Sequence, residues 1–137
     1  MSSSYEILHG IKTACASIAN VATCKLGIET PLLPAAYPMI RIVLSVSREK
    51  KEGEPIYRPL LEVLVYYGEM VRPLGEGALD DQLEWLLETE DEIKTAVCTN
   101  RGWHGRWLET VWDEDRIPGL RIFASRFEVW GYNSRPK

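Results

Sequence analysis

The sequence predicts an α+β fold. It takes the form of a two-layer sandwich in which a mixed or mostly antiparallel sheet of about five strands carries two helices packed on one face. Three observations lead there. Two stretches place apolar residues at helical spacing, several others alternate with a period of two, and hairpin-type connections dominate between the alternating runs. With 137 residues the chain is read as a single domain spanning 1–137, long enough to bury a core without staples. A hydrophobic content of 45% beside 26% charged residues excludes wholesale disorder.

The first helix is expected over residues 4–19. Ile7, Leu8, Ile11, Ala14, Cys15, Ile18 and Ala19 recur on one face, Ser3 and Glu6 form a capping box, and Asn20 stops the helix. Residues 21–26 suit a short strand punctuated by Gly27. Pro31, Pro34 and Pro38 make the next stretch an extended surface connection.

A long amphipathic hairpin follows. Ile40, Ile42, Leu44 and Val46 alternate with Arg41, Val43 and Ser45, which puts the four aliphatic residues on one face. In the returning run Leu61, Val63, Val65 and Tyr67 share a face. The opposite face, with Leu60, Leu64 and Tyr66, is also largely apolar, as expected of a central strand. Residues 48–55 between the runs carry six charges and a glycine, and are read as a mobile charged tip.

A turn at residues 72–77 leads to a second helix over residues 78–98, whose apolar stripe is Leu79, Leu83, Leu86, Leu87, Ile93 and Val97. Asp80, Asp81 and Glu84 complement the positive end of its dipole. Of the acidic group near its middle, Glu88, Asp91 and Glu92 fall on the exposed face, while Glu90 falls at the edge of the apolar stripe. Two last strands, over residues 103–112 and 120–132, flank a polar loop closed by Pro118-Gly119.

Chemistry-bearing patterns are sparse. His9 and His104 stand far apart, and no paired spacing of histidines or cysteines marks a metal site. Gly75 and Gly77 lack the lysine and third glycine of a phosphate loop. The expectation is therefore no catalytic residues, no cofactor and no metal. Cys15, Cys24 and Cys98, odd in number and unpaired in spacing, read as reduced thiols of a cytoplasmic protein. Neither a signal peptide nor a membrane span is read from the chain. A net charge of -4 argues against nucleic-acid specificity.

The charges are unevenly spread: acids crowd residues 76–92, whereas Arg101, Arg106, Arg116, Arg121, Arg126 and Arg135 populate the C-terminal third. Aromatics concentrate there too. Period two places Trp103 and Trp107 on one face of the fourth strand and Trp112 on the other, with Phe123, Phe127, Trp130 and Tyr132 on the next strand. Core packing with cross-strand aromatic pairs accounts for such a cluster; aromatics left on an uncovered face beside arginines make a protein interface.

The layout as a whole resembles the tail terminator or tail completion proteins of long-tailed bacteriophages, which are small minor tail proteins. The resemblance is carried by the N-terminal helix, the Tyr37-Pro38-Met39-Ile40-Arg41-Ile42-Val43 strand and the charged arm. The acidic-leaning helix and the closing strand from Arg121 to Val129 complete it. It implies a structural role without chemistry: a hexameric ring that caps the tail tube, ends its polymerisation and offers the surface to which the head attaches. The implied partners are further copies of the chain, the tail tube protein and the head-completion protein, and the implied location is the virion tail, assembled in the bacterial cytoplasm.

Residues expected at the assembly interface are Arg48, Glu49, Lys50, Lys51, Glu52 and Glu54 of the arm, Asp91 and Glu92 of the helix, and Arg121 and Arg126 of the last strand. The tryptophan density over residues 103–112 departs from the family pattern and leaves two alternatives open. One is a small ligand-binding or enzymatic domain with a pocket lined by Tyr66, Tyr67 and the tryptophans. The other is a phage factor that binds a host protein through the aromatic face.

Overall fold

The structure, a computed structural model, describes residues 4–18, 21–27, 37–51, 57–70, 78–113 and 120–131. Its elements run α1 (Ser4–Ala16), β1 (Thr23–Leu26), β2 (Met39–Lys51), β3 (Tyr57–Met70), α2 (Ala78–Cys98), β4 (His104–Asp113) and β5 (Leu120–Trp130). The first helix ends at Ala16, short of the expected residue 19, with Ser17 and Ile18 already in a turn; Ser3, Asn20 and the connection 28–36 lie outside the described residues. The five strands form one sheet in the order β1-β2-β3-β5-β4. Only β1 and β2 are parallel, so the sheet is mixed and mostly antiparallel, as the alternation and hairpins predict.

One face of that sheet is the core. The ladder aligns Ile40 with Tyr67 and Phe123, Ile42 with Val65 and Ser125, and Leu61 with Val129. Both helices press Ile7, Ile11, Cys15, Leu86, Ile93 and Val97 onto these residues. The helices also touch each other, with α1 over β1 and β2, and α2 over β4.

Trp103 joins the two layers. The residue is 4% exposed and its Nε1 donates to the Val97 carbonyl at 2.8 Å. Gly10 of α1 lies so close that an added Cβ would stand 2.5 Å from Trp103 Cζ3, which explains a glycine in mid-helix despite its cost. At Gly105 a Cβ would meet the Val97 carbonyl oxygen at 2.6 Å, so α2 reaches the sheet backbone directly.

Two irregularities overrule the simple alternation. Ser45 is the unpaired residue of a bulge: Leu44 faces Val63 in register but Val46 faces Glu62. Val46 therefore leaves the face of Ile40, Ile42 and Leu44 for the uncovered one. A second bulge at Leu108, between the pairs Trp107↔Phe127 and Glu109↔Arg126, returns Trp112 to the helix side opposite Phe123. Period two places Trp112 on the other face; the extra residue corrects it, and its ring packs 4.7 Å from Phe123.

The apolar stripe of α2 is rotated as well. Leu86, Ile93 and Val97 are buried together with Gln82, Thr89 and Glu90, while Leu83 and Leu87 are 47% and 45% exposed. Gln82 is drawn inward because Glu69, next to last in β3, lies on the core face. Its Nε2 donates to Glu69 Oε2 at 2.8 Å and to the Met70 carbonyl at 3.0 Å, and Tyr67 Oη donates to Glu69 Oε1 at 3.0 Å. A buried carboxylate without such donors would cost several kcal/mol (about 3–5 when one partner is removed).

The strand pair β2–β3 also extends further than alternation predicts, with Arg48↔Leu60, Glu49↔Pro59, Lys50↔Arg58 and Lys51↔Tyr57 all in register. Gly10→Val and Gly105→Val, which push a side chain into Trp103 and the α2 backbone respectively, are expected to lower stability by about 1–3 kcal/mol. The check is the urea midpoint of each variant against wild type.

Candidate interaction surfaces

Because both helices pack on one face, the other face of the sheet carries half-buried Val43, Leu60, Leu64, Tyr66, Ile122 and Trp130, with no helix of the described residues over it. Across its middle runs a row of alternating charges. Arg126 of β5 stands 3.1 Å from Glu62 of β3 and 3.5 Å from Glu109 of β4, and Arg106 of β4 lies 3.0 Å from Glu128 of β5. Register explains the row. Glu62 and Glu128 face each other as like charges, and each is neutralised by an arginine from an adjacent position. The Glu62 contact is an ion pair at Arg126 Nε without directed hydrogen-bond geometry. His104 stacks on Trp130 beside the row, with centroids 5.5 Å apart.

This surface is mixed rather than basic. Arg106 and Arg126 are engaged within the sheet, so they are not a free cationic patch. Arg121 belongs to the core-facing side of β5, in register with Glu69. The arginines of β4 and β5 are thus divided between the two faces of the sheet.

The helix layer offers the opposite surface. Asp91 and Glu92 are exposed on α2 as expected, and line an open groove of about 380 Å³ with Ala14, Ser17, Ile18 and Thr95. Glu90 is 7% exposed and lies 3.7 Å from Lys94, whose Nζ sits 3.9 Å above the Trp107 ring. The edge position read for Glu90 is therefore real, and its cation is a lysine one turn on. Asp91 and Glu92 stand on the helix layer and Arg126 on the uncovered face of the sheet, so the fold does not bring these residues together within one molecule.

The arm supplies a third surface. Arg48, Glu49, Lys50 and Lys51 are the last residues of β2, and Glu52 and Glu54 lie outside the described residues. Strand β5 pairs with β3 only from Leu60 onward. The pairs Glu49↔Pro59, Lys50↔Arg58 and Lys51↔Tyr57 therefore form a two-stranded ribbon beyond the body of the sheet, about 10 Å long at the usual rise.

Among the described residues, no group of three or more His, Cys, Asp or Glu side chains suits a metal ion. Tyr66 and Tyr67 lie on opposite faces, with Trp107 and Trp112 on the side of Tyr67, so these residues do not line a common pocket. The thiols are quiet: burial, with a smaller contribution from Cys24, pushes Cys15 up to about 12, and burial raises Cys24 to about 11 and Cys98 above its usual value. No described helix is long and apolar enough to cross a membrane. Compared with known families and curated proteins, the chain matches no family model and no curated sequence.

The buried Tyr67–Glu69–Gln82 knot was not singled out from the sequence, although period two already aligns Glu69 with Tyr67. The exposed Leu83 and Leu87 were missed because a leucine-rich helix has no sequence mark of which leucines face out.

Two measurements test the electrostatics. Coupling between Arg126 and Glu62 in a double-mutant cycle is expected at about 0.2–1 kcal/mol, falling with added salt. Cys15 keeps its proton in the folded chain up to about 12 but loses it near 9.0 when unfolded. Its contribution is therefore full below about pH 9 and is lost as pH rises toward 12. The stability gap between wild type and Cys15→Ala, read from urea midpoints, is expected to narrow from pH 8 to pH 10.

Proposed function

We propose that this chain is a structural assembly protein of a phage tail, a terminator that closes into a ring on the tail tube, ends its growth and presents the surface for head attachment. The observation that carries the reading is the β2–β3 ribbon, which outruns its neighbour β5 by three residue pairs. No strand of the described residues lies beside the ribbon, and such a projecting pair is suited to contact with another chain. The ribbon's sequence is highly charged, which fits a surface arm better than a missing part of a core.

Two further features favour assembly. The domain has chemically different surfaces on its two layers, an acidic helix on one side and a mixed aromatic and ion-paired sheet on the other. Heterologous contact between unlike patches is what a ring requires. The sheet face also combines apolar area with satisfied charges, the composition of an interface rim and core.

Light scattering on the full chain over a range of concentrations tests the reading. The expected result is a defined closed oligomer, with six copies the number the resemblance implies. A monomeric mass at every concentration, including in the presence of tail tubes, counts against it. Removing residues 49–54 is expected to leave a folded chain with impaired assembly, as judged by circular dichroism and by the same scattering measurement.

A further inference from the structure

The ribbon and helix α2 differ sharply in charge. The strand segments 48–51 and 57–60 hold four cations against one carboxylate, a net of +3. Glu52 and Glu54 at the tip leave the whole arm, residues 48–60, at +1, so the positive charge is concentrated on the paired strands. Helix α2 holds seven carboxylates against one lysine, a net of -6. Its exposed side carries Glu84, Glu88 and Asp91 next to the exposed leucines Leu83 and Leu87. An acidic face with an apolar flank is the complement of a basic ribbon, because attraction sets the approach and leucine burial adds affinity.

Direction decides between a contact within one chain and a contact between two. Leu60, Trp130 and His104 lie together at one end of the sheet, and the ribbon leaves from that end. The C-terminus of α2 is at the same end, since Val97 and Cys98 abut Gly105. The acidic turns of α2 precede it and begin near the opposite end, where the Gln82 side chain is tied to Met70. A ribbon that projects from one end moves away from the acidic face of its own chain, but is aimed toward that of a neighbour placed head to tail.

We propose that the β2–β3 ribbon of one copy docks on the acidic, leucine-flanked face of α2 in a second copy. The inference deepens the assembly reading and rests on it; it assigns the two patches that meet and the order in which copies follow one another. Repeated, this contact is heterologous and uses each patch once per copy.

Charge exchange tests it. The full-length variants Lys50→Glu/Lys51→Glu and Glu84→Lys/Glu88→Lys alter the two patches separately. Each alone is expected to raise the concentration needed for association roughly tenfold or more, because like charges then face each other. An equimolar mixture of the two is expected to regain wild-type association, since each reversed patch meets its reversed complement. Neutral counterparts, Lys50→Gln/Lys51→Gln and Glu84→Gln/Glu88→Gln, are expected to weaken association less and at low salt only, and they keep the test valid where a reversal disturbs folding.

A wild-type chain that associates normally while neither reversal changes it overturns the ribbon–helix contact and leaves the assembly reading standing. Loss in the helix variant alone, without rescue by the ribbon variant, also overturns it, because α2 then serves a different basic partner. A wild-type chain that never associates overturns both.

Discussion

The packing of Trp103 between the helices and the sheet is the constraint on which the rest of the structure depends. Its N–H is held by the end of α2, its ring fills the space left by Gly10 of α1, and Gly105 two residues later lets the α2 backbone approach β4. One indole thus fixes both helices on the same face. A buried tryptophan combines a large apolar area with one donor that must be satisfied, so its position and its orientation are set together. Once both helices are held there, no helix of the described residues covers the other face of the sheet.

That one-sidedness organises the surfaces. On the covered face, apolar side chains from β2, β3 and β5 form the core around the buried Ser125, and the Glu69 carboxylate at its margin is tolerated because Tyr67 and Gln82 donate to it. On the uncovered face, charges are permitted, and the like-charged cross-strand neighbours Glu62 and Glu128 are each paired with an arginine, Arg126 and Arg106 respectively. Such pairs add little stability individually. Their consequence is to hold Arg106 and Arg126 within the sheet, while on α2 Lys94 lies within ion-pair distance of Glu90 and Asp91.

Much of the fold was legible in the sequence. The bounds of α2 follow directly from its spacing, and the strand set and hairpin connections follow from alternation and turn residues. Legibility ended at the two bulges. One inserted residue at Ser45 moves Val46 to the uncovered face, and another at Leu108 moves Trp112 to the core. Side-chain direction along a strand is a parity, and a bulge reverses that parity without leaving a mark in the residue pattern. The interface residues fared unevenly for a related reason. Asp91 and Glu92 are exposed as read, whereas Arg121 and Arg126 divide between opposite faces because an odd number of positions separates them.

The sequence by itself determined the class of fold, the order of its elements, the acidic character of α2 and the charge of the arm, because these depend on local periodicity and composition. Tertiary structure alone decided which leucines of α2 reach the core, which tryptophans do, and that two arginines are consumed by neighbouring strands. It also decided that the arm leaves the end of the sheet opposite to the start of the acidic helix. Each of these depends on register between segments distant in the chain, and register is fixed only when side chains pack and buried polar groups find their donors.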